Sequence, residues 1–208
     1  KIVLVIYVAR MLTKNKSVIK NFKEGLLPIL IPIGAICILI LPADFSTAAM
    51  LLTVCFTLLF VGGVAVKHLL AIIGGALGVL LLLIALNHVA PGLLPRVNTW
   101  EQRLMGYSSG SAEDNYQAQR AKLAVANGGV IPKGPGNGTI KNELYSAQSD
   151  FIYATIIEDW GSILGGVMLL LLYLMFLFRS IKIMTKTDSS FGGYLAFGLS
   201  FLLVFQAL

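Results

Sequence analysis

Between Leu26 and Ala90 the chain passes through three long apolar stretches, and only Asp44 and Lys67 interrupt them with a full charge. A helix crossing the hydrocarbon core of a bilayer needs about 20 mostly apolar residues. Leu26–Leu41, Thr47–Val66 and Leu69–Ala90 meet or approach that length, and Ile163–Phe178 is a further run of the same kind. Ile2–Leu12 and Phe191–Leu208 read as partial spans. Leu26–Leu41 carries Pro28 and Pro32, which a membrane helix tolerates when neighbouring groups satisfy the carbonyls they release. The runs recur along the chain without small-residue cleavage sites, so none reads as a signal peptide. The pattern predicts an all-α, multi-pass transmembrane bundle of about six spans, a single integral-membrane domain over residues 1–208.

Composition agrees. Charged residues make up 12% of the chain and apolar ones 57%, whereas soluble domains run near a quarter charged. An ordinary soluble domain, a disordered chain and a nucleic-acid module are excluded on that ground. The formal charge of +6 therefore matters through the side of the bilayer on which it lies. Arg10, Lys14, Lys16, Lys20 and Lys23 fill the loop after the first run, Lys67 the link after the third, and Arg179, Lys182 and Lys186 the loop after the fifth. By the positive-inside rule these loops are cytoplasmic. Alternation then puts the turn Pro42–Ser46 and the long segment Pro91–Gly161 outside. Lys1 precedes an apolar run with no initiator Met, and Leu208 ends inside another. The sequence reads as a piece of a longer protein, and its span count as a minimum.

Cys37 and Cys55 lie within apolar runs and read as small buried residues. His68 and His88 stand at opposite ends of one span, no Cys/His spacing suggests zinc, and no G-x-S-x-G motif or internal repeat occurs. Chemistry is expected in the segment 91–161, because a loop of that length without structure is uncommon unless functional. Short helices are predicted there at Tyr116–Asn127 and Ala147–Ile157. The run Gly129-Val-Ile-Pro-Lys-Gly134 has phosphate-loop spacing, but Pro135 stands where Lys is required and no strand precedes it. It is either a plain surface turn or an anion nest built from glycine amides and Lys133. Asp150 stands where the polar loop gives way to an apolar helix. There it either caps that helix or, losing hydration, gains basicity as a proton acceptor. Glu158 and Asp159 follow about two turns later and could share a polar cavity with it. Asp44 or Ser46 reads as a cap for the helix from Thr47.

Together these segments resemble the SEDS family of shape, elongation, division and sporulation proteins, which includes FtsW and RodA. Pro42-Ala-Asp-Phe-Ser-Thr-Ala48 resembles the family's P-D-L-G-T-A turn, and Tyr116-Gln117 followed by Gly128-Gly129 its YQ…GG stretch. Lys133-Gly-Pro-Gly-Asn137 is similar to its K-G-L-G-N/S loop. Ser149-Asp-Phe-Ile-Tyr-Ala154 and Glu158-Asp-Trp-Gly161 resemble T-D-F-I-F-A…E-E-L-G. The resemblance covers essentially the whole chain, with its motifs in the family's order. Ala43, Ser46, Arg120 and Pro132 depart from the family's usual Pro, Gly, Gln and Gly, and the stretch from Lys133 to Asp150 is one residue shorter.

The resemblance implies a ten-span fold, of which this chain would hold the fourth through ninth spans in a bacterial plasma membrane, with Pro91–Gly161 as the large extracytoplasmic loop. It implies a peptidoglycan glycosyltransferase acting on lipid II, an undecaprenyl-pyrophosphate-linked disaccharide, in division or elongation. The Ser149–Ala154 and Lys133–Asn137 spellings lean towards the division form. Asp150 matches the family's catalytic Asp. Lys133, Gly134, Gly136, Asn137 and Arg103 are the residues expected to meet the leaving pyrophosphate, with Gln117, Gln148, Asp44 and Glu158 also expected at the substrate. A divalent cation could share the charge stabilisation, but the sequence shows no cofactor. The implied partners are the lipid-linked glycan, a class B penicillin-binding protein and the division or elongation machinery, with no nucleic acid. Inversion in a single displacement needs no second carboxylate as nucleophile. The competing classes are a flippase for the same lipid, which would suit the proline-broken span, and a non-catalytic scaffold that recruits a transpeptidase.

Overall fold

A computed structural model of the chain describes residues 1–19, 21–41, 43–89, 112–144 and 147–207. The described residues form helices and turns with no strand. In order they are α1 (Ile2–Lys14), α2 (Leu27–Ile40) entered through a π-helical turn at Phe22–Leu26, α3 (Phe45–Val61) and α4 (Val66–Val89). There follow α5 (Ala112–Gly128), a 3-10 turn (Ile140–Glu143), α6 (Ile152–Gly161), a π-helical stretch (Ser162–Val167), α7 (Met168–Lys186) and α8 (Ser190–Ala207). Each apolar run expected to span or enter the membrane is helical over most of its described residues, but the run Thr47–Val66 breaks at residues 62–65, which turn between α3 and α4. Phe22–Ile40, Ile152–Lys186 and Ser190–Ala207 are long and apolar enough to cross a bilayer, and Phe45–Val61 and Val66–Val79 are shorter apolar helical stretches. Leu39, Phe60, Leu171, Leu174 and Phe178 are exposed. A water-soluble chain would bury a series of large side chains like these, and lipid is their natural surrounding. This is a multi-pass membrane protein.

The chain divides into two compact units, Lys1–Leu104 with Phe176–Leu208, and Met105–Met175. In the first, Leu4, Val5, Val8 and Leu12 of α1 pack with Leu51, Val54 and Leu58 of α3 and Phe197 of α8. The proline problem in α2 has a specific solution. Pro32 has no N–H to give the carbonyl four residues back, which belongs to Pro28. The Tyr7 hydroxyl of α1 donates to that oxygen at 3.1 Å. Asp44 is the N-cap of α3, accepting from the Thr47 amide at 3.1 Å and from the Thr47 hydroxyl at 2.5 Å. The hydroxyl first, then the amide, hold its carboxyl below the usual range.

In the second unit, α5 matches the helix expected at Tyr116–Asn127 and extends it to Ala112–Gly128. The second expected helix starts later. Residues 147–151 are turn, and α6 opens only at Ile152. The C-terminal end of α5 lies hard against α6, since a Cβ on Gly128 would stand 2.2 Å from the Ile157 carbonyl oxygen.

Candidate functional site

The glycine-rich loop between α5 and the 3-10 turn is built on two adjacent carboxylates of α6. Glu158 is fully buried, and its Oε1 accepts from the amides of Thr139 and Ile140 and from Asn127 Nδ2, each at 2.9 Å. Asp159 takes the neighbouring stretch, with Oδ2 accepting from the Gly136 amide at 3.2 Å and Oδ1 from the Gly138 amide at 3.0 Å. Its carbonyl accepts from the Gly134 amide at 3.0 Å. A buried carboxylate is tolerated only when donors surround it, and the loop supplies them.

Within the loop, Gly134-Pro-Gly-Asn137 closes on itself, the Asn137 amide donating to the Gly134 carbonyl at 3.2 Å. Proline in the second position and glycine in the third, with Gly136 at φ 89°, are the requirements of a type II turn. Asn137 Nδ2 donates back to the Lys133 carbonyl at 2.8 Å. Lys133 itself is exposed, and its ammonium donates to Asn127 Oδ1 at 2.6 Å. One of its three donors thus fixes the head group at the loop's edge.

Asp150 occupies the turn leading into α6. It is exposed, and no described residue bonds its side chain. The residue in the cap position is Phe151, and no side chain caps the helix. The capping alternative for Asp150 is therefore absent from the structure. Thr155 ties the turn to the helix, its hydroxyl lying 3.1 Å from the Ala147 carbonyl and 3.2 Å from that of Phe151. Gln148 is exposed on the same turn.

A family model described as cell cycle protein, covering FtsW, RodA and SpoVE, matches residues 1–208. The chain belongs to this family. Among FtsW/RodA/SpoVE relatives, it is 28% identical over 210 residues to the probable peptidoglycan glycosyltransferase FtsW of Geobacter sulfurreducens, covering 100% of this chain and 54% of that protein. It is 27% identical over 211 residues to the stage V sporulation protein E of Bacillus subtilis, covering 100% and 55%. With the probable peptidoglycan glycosyltransferase FtsW of Francisella salina it shares 29% over 215 residues, covering 99% and 50%. The chain spans about half the length of the curated relatives it matches.

Several expected site residues of this FtsW/RodA/SpoVE chain fall together, and others do not. Lys133, Gly134, Gly136 and Asn137 share one loop, while Gln148 and Asp150 share one turn. The Gly134 and Gly136 amides, expected to meet an anion, are directed at Asp159 instead. Glu158, expected at the substrate, is sealed inside as the loop's internal anchor, because its burial leaves it reachable only by the groups that bond it. Gln117 on α5 is half-buried, and its Oε1 is buried without a hydrogen-bond partner among the described residues. Asp44 caps α3 in the other unit, and Arg103 lies outside the described residues. Arg120, 2.9 Å from Glu143 and 5.0 Å from the Tyr116 ring centre, ties α5 to the 3-10 turn. Sequence reasoning passed over Asn127 and Thr155. Among the described residues no three His, Cys, Asp or Glu side chains converge as a metal-binding group.

Proposed function

We propose that the protein is a peptidoglycan glycosyltransferase that polymerises lipid II, with Asp150 as general base and Lys133 as a contact for the leaving pyrophosphate. Membership of the FtsW/RodA/SpoVE family and relatives named as glycosyltransferases support the activity. The observation that carries the base assignment is a contrast between carboxylates. Glu158 and Asp159 are engaged by loop amides, whereas Asp150 is exposed on a pinned turn and caps nothing.

The step needs little more than this. Asp150 accepts the proton of the acceptor sugar's hydroxyl as its oxygen attacks the anomeric carbon of the donor. The bond from that carbon to the pyrophosphate oxygen breaks, and undecaprenyl pyrophosphate departs with the bonding electrons. Lys133 meets the charge that develops on the leaving oxygen. Glu158, Asp159 and Asn127 are positioning residues, because they hold the loop that presents Lys133. Placement of the loop outside the bacterial plasma membrane follows from the charge asymmetry of the short loops. A class B penicillin-binding protein is the proposed partner. Glycan synthesis from lipid II by the full-length protein with that partner, lost on Asp150→Asn, tests the assignment.

A further inference from the structure

The loop residues Val130 and Ile131 are exposed by 64% and 81%, although both are large and apolar. They are not at a floppy end. The Ser162 amide donates to the Gly129 carbonyl at 2.8 Å, and a Cβ on Gly161 would meet the Val130 carbonyl oxygen at 2.8 Å and the Pro132 nitrogen at 3.2 Å. The loop backbone is therefore fastened across Gly161. That glycine, at φ 78° and ψ 166°, is where α6 ends and the π-helical stretch begins.

The position of Gly161 relative to a bilayer can be worked out from the helix that follows. Arg179 is the first charge after it, and Ser162–Phe178 provides about 25 Å of helix at ~1.5 Å per residue. That nearly matches the ~30 Å thickness of the hydrocarbon core. With Arg179 at one boundary, Gly161 falls at the other. Trp160 is half exposed beside it, as are Ile163 and Leu164, and Trp favours the interface between hydrocarbon and water. Lys133, two residues past Ile131, has the long stem that lets an ammonium reach the head-group layer from such a depth.

We propose that Gly129–Pro132 is an interfacial anchor, with Val130 and Ile131 inserted into the lipid at the membrane boundary beside Gly161. The occupant of this apolar surface is the bilayer itself. The anchor sets Lys133 at the level of lipid phosphates. The inference stands on the membrane span and on the loop's attachment to it, and not on the polymerase reading.

The test uses the full-length protein in lipid nanodiscs, with a single environment-sensitive fluorophore on Ile131→Cys or, for comparison, on the exposed Gln119→Cys. Nitroxide-bearing lipids should quench the probe at 131 strongly and iodide weakly, with blue-shifted emission, and the pattern should reverse at 119. Iodide quenching at 131 equal to that at 119 would overturn the anchor. Shielding from both quenchers would also overturn it, by placing protein on the surface in place of lipid. Neither readout depends on catalysis, so failure of the anchor and failure of the polymerase assignment are separately visible.

Discussion

Glu158 and Asp159 sit next to each other in sequence and do different jobs from Asp150, eight and nine residues earlier, and burial is what separates them. Glu158→Gln keeps the shape but exchanges the charged oxygen that accepts from three donors for a neutral amide oxygen. Charge-assisted hydrogen bonds contribute about 1.5–3 kcal/mol each, so the full-length protein should unfold at lower temperature, with a smaller loss of activity at temperatures where it stays folded. An unchanged melting temperature would contradict the anchoring role. Lys133→Ala should cost one charged contact, roughly a 10- to 100-fold loss in kcat/KM for lipid II. Wild-type kinetics would return the loop to a plain turn. Gly161→Ala forces a side chain into a backbone region occupied almost only by glycine, at about 1–3 kcal/mol, and into the Val130 carbonyl. Lowered thermal stability checks this, and a neutral outcome would show that the loop does not cross Gly161 so closely.

Element by element, the apolar runs were legible because lipid-facing helices need little beyond length and hydropathy. The boundaries of α6 were less so. The sequence reading starts this helix at Ala147, but residues 147–151 form a turn that Thr155 holds from within α6. That bond joins residues two turns apart and leaves no composition signal. The anchors of the glycine-rich loop were hidden for the same reason, since Glu158 meets Asn127, Thr139 and Ile140 across 18 to 31 residues of sequence. The tolerance of Pro32 was expected, and its agent was not. Tyr7→Phe removes the hydroxyl that replaces the missing amide at the Pro28 carbonyl. It should destabilise the protein in detergent by about 0.5–1.5 kcal/mol. Equal stability of Tyr7→Phe and wild type would mean that the Pro28 carbonyl finds another donor.

For the whole molecule, orientation comes before chemistry, because a loop on the wrong side of the membrane could not use an extracytoplasmic acceptor. A Cys introduced at Gln119 should react with a membrane-impermeant thiol reagent in intact spheroplasts, and one at Ser17, among the basic residues after α1, should not. Reversed labelling would overturn the topology and the site with it. The family, the helical membrane fold and the loop motifs could all be read from the sequence. The separation of Asp150 from its two carboxylate neighbours required the fold. The proposed role of Asp150 is to take the proton. Asp150→Asn leaves a turn residue of the same size that accepts no proton, and no capping bond is lost by the change. The decisive measurement is the rate of glycan polymerisation from lipid II by full-length Asp150→Asn protein with the proposed class B penicillin-binding protein, at matched expression and partner binding. A loss of about 10²–10⁴-fold is predicted, and a rate equal to wild type would contradict the assignment.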